Sequence, residues 1–158
     1  MSEIENQKKE GDQILQLVTF MIGNEEYAVD ILYVQEINRM IQITKVPNAP
    51  EFVEGVINLR GRVIPVIDLR TRLGMEKKEQ DNNSRIIVIE VQSNILGFIV
   101  DAVKEVLRIP ASITEVPPEL VSTIDSEYIK SVGKLEDRLL ILIDLEKIFA
   151  QPVAKELK

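Results

Sequence analysis

Displaced by 76 positions, the sequence falls on itself without a gap over its most apolar stretch. Arg62 lands on Arg138, Ile64 on Leu140, Val66 on Leu142 and Ile67 on Ile143. Asp68 then meets Asp144, Leu69 meets Leu145 and Leu73 meets Phe149, while upstream Val56 meets Val132 and Leu59 meets Leu135. A weaker match at a displacement of 71 sets Tyr27-Ala-Val-Asp30 on Phe98-Ile-Val-Asp101. Apolar strands resemble one another by chance, so the ungapped Arg…Asp-Leu frame is the better evidence. Each half reads as a hairpin ending in aspartate, an irregular connection, then a buried strand running into a short helix. The expected fold is therefore mainly β: two similar subdomains packed together, each a small closed or nearly closed barrel of short strands.

The stretch Gly55 to Leu73 carries the most local information. Val63 to Ile67 is an unbroken, β-branched apolar run that reads as a strand buried on both faces. Pro65 cannot donate to a ladder, so its position lies at an edge, at a bulge or facing an unpaired side. Asp68 and Asp144 follow the two matching strands where a carboxylate can accept from the free N–H groups of a helix start, and are expected to be helix caps. Arg60, Arg62, Arg70 and Arg72 against Asp68 give this segment a net charge of +3 in a chain of net −7. Arg70 and Arg72 read as solvating the outer face of the strand and helix. Arg60, in the turn Asn58-Leu-Arg-Gly61 beside a buried strand, is better placed to bind a partner's carboxylate. That turn corresponds to Lys134-Leu-Glu-Asp137, so the basic turn occurs in one copy only. A feature unique to one copy of a repeated scaffold is a candidate for function, and a groove between the subdomains is the natural place for it.

Composition narrows the functions. A net charge of −7 argues against nucleic acid, whose binders derive most of their affinity from a basic face. No apolar run approaches the roughly 20 residues that span a bilayer, and the N-terminus lacks an apolar signal core; a cytoplasmic protein with no direct membrane insertion is expected. The chain has neither histidine nor cysteine, which removes most hydrolase triads, thiol chemistry and the commonest zinc ligands. No catalytic residue, cofactor or metal is expected. Two alternatives remain on the residues: a carboxylate enzyme using Asp68, Asp101 and Asp144, against which helix capping explains two of the three, and a polyanion binder using the small arginine stripe.

Along the chain, residues 1–13 read as a disordered tail. Leu15 to Ile22 and Glu26 to Asp30 form a hairpin over Gly23-Asn24, followed by a short helical turn capped by Asp30. Glu51 to Glu54 reads as a helical turn, Met75 to Ser84 as a polar loop after a cap at Gly74, and Ala111 to Ser126 as irregular. Arg85 to Val91, Ile95 to Val106, Tyr128 to Leu135 and Arg138 to Ile143 are strands. A C-terminal helix begins at Asp144. Residues 14–150 thus form one domain of two pseudo-repeated barrels, with 151–158 as a C-terminal helical tail.

Gly55-Val-Ile-Asn-Leu-Arg-Gly61 and Val63-Ile-Pro-Val-Ile-Asp-Leu-Arg70, with Glu25-Glu-Tyr-Ala-Val-Asp-Ile-Leu32, Val34-Gln-Glu-Ile37 and Asp137-Arg-Leu-Leu-Ile-Leu-Ile-Asp144, resemble the CheW-like family of bacterial chemotaxis coupling domains. The likeness runs from about residue 14 to about residue 150. It implies two five-stranded barrels of the Src-homology type around a shared apolar interface. It implies a non-catalytic adaptor that couples the cytoplasmic tip of methyl-accepting chemoreceptors to the regulatory domain of the histidine kinase CheA. The chain is too short to hold a kinase or receiver domain as well, so a free-standing coupler recruited to receptor arrays is expected. Carried over by motif position, receptor contact falls on Val34, Glu36, Gly55, Asn58, Arg60 and Gly61, with kinase contact on barrel ends away from that groove. Arg60→Ala and Gly55→Asp are expected to weaken receptor engagement with the fold intact.

Overall fold

The computed structural model describes residues 13–116 and 128–149; the expectations for residues 1–12, 117–127 and 150–158 lie outside them. The apolar runs become eleven strands among the described residues: β1 (Ile14–Ile22), β2 (Glu25–Asp30), β3 (Val34–Arg39), β4 (Val53–Leu59), β5 (Arg62–Asp68), β6 (Arg85–Val91), β7 (Asn94–Val100), β8 (Ala102–Pro110), β9 (Thr114–Glu115), β10 (Ile129–Leu135) and β11 (Arg138–Ile143). Two one-turn helices, α1 (Leu69–Arg72) and α2 (Leu145–Ile148), follow the matching strands β5 and β11. Asp68 caps the first by accepting from Arg70 N at 3.1 Å, and Asp144 caps the second by accepting from Lys147 N at 3.1 Å.

The strands form two sheets, ordered β8-β1-β2-β11-β10-β9 and β3-β6-β7-β5-β4. Under the repeat, β1, β2, β3, β4 and β5 correspond to β6, β7, β8, β10 and β11. The two sheets therefore share one strand order, with the two-residue β9 added to the first. They do not divide the chain at the repeat boundary, however. The hairpin β1–β2 leaves its own half to pair with β8 and, in parallel, with β11. The hairpin β6–β7 does the reverse, pairing with β3 and, in parallel, with β5. Each half lends its first hairpin to the other's barrel, so neither half has a complete sheet alone.

That exchange sets where the core sits. Leu17, Ala28, Leu107 and Leu142 fill one barrel, and Ile57, Ile64, Val66 and Val88 fill the other. The largest cluster lies between them, built from the opposite faces of both lent hairpins and from both helices. Phe20 bridges its centre, edge-on to Tyr27 at 6.2 Å and tilted against Phe98 at 5.6 Å, while Phe98 stacks on Phe149 at 6.1 Å. Each fully buried phenylalanine contributes roughly 1.5–3 kcal/mol, so this shared layer is a main reason the barrels stay together.

Four sequence expectations need revision or resolution. Glu51 to Glu54 is not a helical turn: Val53 N donates to Pro50 O, and Val53 already starts β4. Val63 is 71% exposed, because it sits at the hairpin end of β5, where the barrel wall has no neighbour to cover it. Pro65 is inside a central strand. Its partner Val56 directs both N–H and C=O outward to Thr44, so the Val56–Pro65 pair is not hydrogen-bonded and the β4 ladder loses no donor, while the parallel pairing with β7 begins one residue on, at Val66. Arg70 and Arg72 do not solvate an outer face. Arg70 binds Asp101 through Nε at 3.2 Å and Nη2 at 2.8 Å, and Arg72 lies between the Phe52 and Tyr128 rings with its fork on Ile148 O.

Candidate functional site

The one-copy turn is a two-residue hairpin loop. Leu59 pairs with Arg62, and the two residues between them, Arg60 and Gly61, have φ of 53° and 85°. Such left-handed pairs match the twist of the flanking strands, and Asn58 Oδ1 holds the loop by accepting from Gly61 N at 2.9 Å. The turn throws the Arg60 side chain across to β3, where it forms a two-pronged ion pair with Glu36. Asn38 Nδ2 donates to the same carboxylate at 2.9 Å. β3 and β4 are the two edges of the five-stranded sheet, so this pair closes the barrel across its open seam. Hydrogen bonds from Arg60 and Asn38 hold the Glu36 carboxyl below its usual range, and Glu36 in turn raises Arg60. The Arg60 side chain stays 69% exposed, so its outer face is open to a partner.

A bulge separates the two β3 candidates. Register breaks between Val34 and Glu36, so Val34 lies opposite Ile89 while Glu36 lies opposite Val88. Those partners point to opposite sides of the sheet. Val34 therefore packs against the inter-barrel core, and Glu36 faces the seam. Gly55 is buried, and a Cβ there would stand 2.3 Å from Thr44 O. It acts by letting the Thr44 segment lie on β4, and a substitution cannot leave that segment in place. The structure thus gathers Glu36, Asn58, Arg60 and Gly61 and sets Val34 and Gly55 apart from them. Sequence reading missed Asn38, and also two exposed apolar residues on the inter-barrel side of their sheets: Ile37, opposite buried Ile87, and Val106, opposite buried Val18. Only the bulge decides which way Ile37 faces, and no composition signal marks it.

The ends of the two barrels differ as well. Beside α1 the end is nearly filled, leaving about 40 Å3 among Glu54, Asp68, Arg70, Lys77 and Asp101. Asp101 there also accepts from Gly23 N at 2.8 Å, tying the β1–β2 turn to the other barrel. Beside α2 the corresponding end is a hollow of about 370 Å3 with Leu15, Leu17 and Leu142 in its lining. The repeat explains the difference. Arg70 is replaced by Glu146 and Asp101 by Asp30, so an ion pair becomes two like charges, with Lys130 where Glu54 stood. Burial and the nearby Glu146 raise the Tyr33 hydroxyl above its ordinary pKa. Among the described residues no group of three or more carboxylates gathers closely enough to hold a metal ion.

The profile of the CheW-like domain matches residues 16–153, which takes in both barrels and both capping helices. The chain belongs to the CheW-like domain family. It is 40% identical over 135 residues to a chemotaxis protein CheW of Klebsiella aerogenes, covering 85% of this chain and 81% of that protein. It is 39% identical over 143 residues to a chemotaxis protein CheW of Thermotoga maritima, covering 89% and 91%. A crystal structure of the scaffolding protein TtCheW from Thermoanaerobacter tengcongensis superposes with a TM-score of 0.80 at 42% identity, over 88% of this chain and 94% of that one. In this CheW-like domain two of the three carboxylates that an enzyme reading would use, Asp68 and Asp144, are occupied as helix caps, and the third, Asp101, is held by Arg70 and Gly23 N. What the arrangement offers is surfaces: a seam with a half-exposed ion pair and a separate open barrel end.

Proposed function

We propose that the protein is a non-catalytic scaffold of chemotaxis signalling, coupling the cytoplasmic tips of membrane chemoreceptors to the regulatory domain of the histidine kinase CheA. It works in the cytoplasm and is recruited to receptor arrays. The observation that carries this reading is that a repeated scaffold bears unlike surfaces on its two barrels: the Arg60–Glu36 seam on one, the open acidic-rimmed end on the other. An adaptor needs two such surfaces and no chemistry between them. Receptor contact involves Val34, Glu36, Asn58, Arg60 and Gly61, with Gly55 supporting the turn from beneath. A receptor tip is a helical hairpin, and apolar strips with charged rims are how such helices dock. The kinase takes the open barrel end. Among the described residues no helix is long and apolar enough to cross a membrane, so attachment to an array rests on these contacts.

Reconstitution tests the proposal. Receptor-containing membranes and the CheA kinase of the same genome are mixed with the protein, and receptor-stimulated autophosphorylation is followed. Stimulation requires the protein, and Arg60→Ala lowers it about tenfold while leaving the kinase–adaptor complex intact in solution. Full stimulation without the protein, or with well-folded Arg60→Ala, overturns the reading.

A further inference from the structure

At the far end of β3 two arginines stand side by side. Arg39 is paired directly opposite Arg85 of β6, where like charges on neighbouring strands repel and destabilise the ladder. Both lie on the side of the sheet that carries Ile37 and Ile87, the inter-barrel side. Arg85 Nη1 is held by the carbonyls of Asn82 at 2.7 Å and Ser84 at 2.8 Å. Arg39 is exposed, and among the described residues no hydrogen bond or ion pair holds its side chain. The nearest acid in the shallow hollow of about 400 Å3 beside them is Asp81. Its carboxylate is already occupied by Lys78 at 3.3 Å and by the Asn83 amide at 2.8 Å. A fold of net charge −7 has acids to spare, yet among the described residues none answers this pair.

We infer that Arg39 and Arg85 form a carboxylate-reading end to the β3 surface, engaging an aspartate or glutamate of the helical partner that docks along it. The inference rests on the receptor-contact reading of β3 and adds the chemistry of that partner. Charge complementarity carries it. Val34 and Ile37 offer an apolar strip on the same side, and the strip ends in two guanidinium groups at one register position. A carboxylate accepting from both relieves their repulsion, and the guanidinium fork matches its two oxygens. The repeat-related position of the other sheet has no such pair: there Pro110 lies opposite Ile14.

The test uses the full chain and, as probe, a receptor cytoplasmic-tip fragment from the same genome. Binding is titrated at low and high salt for the wild type, Arg39→Glu, Arg39→Lys and Ile37→Asp, with melting curves for each. Arg39→Glu replaces a repelling cross-strand pair by an attracting one, so its Tm holds or rises. Its affinity for the fragment falls about tenfold at low salt, and the loss shrinks at high salt. Arg39→Lys keeps the charge and loses the fork, and gives a smaller loss. Ile37→Asp weakens binding at both salts. If Arg39→Glu binds like the wild type while Ile37→Asp is weakened, the arginine inference is overturned and the β3 reading stands. If Arg39→Glu is weakened and Ile37→Asp is not, the arginine pair is supported and the wider β3 reading is overturned. A fall in Tm for Arg39→Glu shows that the pair serves the fold instead, and also overturns the inference.

Discussion

Arg72 donates twice to the carbonyl of Ile148, from Nη2 at 2.8 Å and Nε at 3.1 Å, and the two residues are one repeat of 76 positions apart. The rings on either side of the guanidinium, Phe52 and Tyr128, are separated by the same repeat, at 4.6 and 5.4 Å. A single arginine thus marks where the two barrels meet, and it holds the last turn of α2 with a cation at a helix C-terminus. Arg72→Met removes the charged donors and leaves a carbonyl without them. The expected cost is about 2–3 kcal/mol, read as a lower urea midpoint. Arg72→Lys keeps the charge but not the fork, and falls between the two.

Asp101 ties three elements: Arg70 of α1, the Gly23 amide of the β1–β2 turn, and its own N–H to Met21 O at 3.0 Å. Burial works against its charge, but the hydrogen bonds from Arg70 and Gly23 prevail and its pKa lies below the usual value. A depressed carboxylate stabilises the fold above the unfolded pKa of about 3.9, and that contribution is lost as pH falls through the folded value. Between neutral pH and about pH 3 the wild type therefore loses urea stability more steeply than Asp101→Asn. Parallel curves for the two would show that Asp101 does not carry this part of the acid sensitivity.

How far the sequence revealed this fold depends on the range of the interaction. Strands, turns and caps are local, and the apolar runs, Gly74 and the two aspartates announce them. The hairpin exchange is not local. It depends on the parallel pairs β2–β11 and β5–β7, which join segments far apart in sequence, and the repeat alone fits either arrangement. The arginines of α1 were misread for a related reason: a four-residue helix shows no periodicity, so nothing in Leu-Arg-Thr-Arg says that both guanidinium groups turn inward. In the candidate site the Arg60 turn was legible from its glycine and its single occurrence. Its contact with Glu36 was not, because the bulge in β3 chooses which of Val34 and Glu36 faces the seam.

Gly55 and Gly61 provide a matched pair of probes. Gly55 has φ of 154° and a Cβ would meet Thr44 O at 2.3 Å, whereas Gly61 has φ of 85° and nothing within 4 Å. Gly61→Ala is expected to cost about 1 kcal/mol through the left-handed backbone alone. Gly55→Ala displaces the Thr44 segment and costs about 2–4 kcal/mol. Thermal melts of both variants check the order, and equal losses would show that the Thr44 contact yields easily. A receptor defect in any Gly55 variant has to be judged against that loss of fold.

Leu32 is 89% exposed on the turn between Asp30 and Tyr33, both of which line the open barrel end. A leucine so exposed adds little to the core, so Leu32→Asp leaves the melting temperature unchanged. It also adds a fourth negative charge beside Asp30, Asp144 and Glu146 and removes a highly accessible apolar group near that rim. If the kinase takes this end, apolar anchors there carry much of the affinity, and the variant binds the CheA regulatory domain about tenfold or more weakly. Binding of receptor fragments, which depends on the Arg60 seam, stays as in the wild type. Titrating the two partners separately distinguishes the surfaces: loss of both would place receptor and kinase on one site, and loss of neither would move the kinase away from this barrel end.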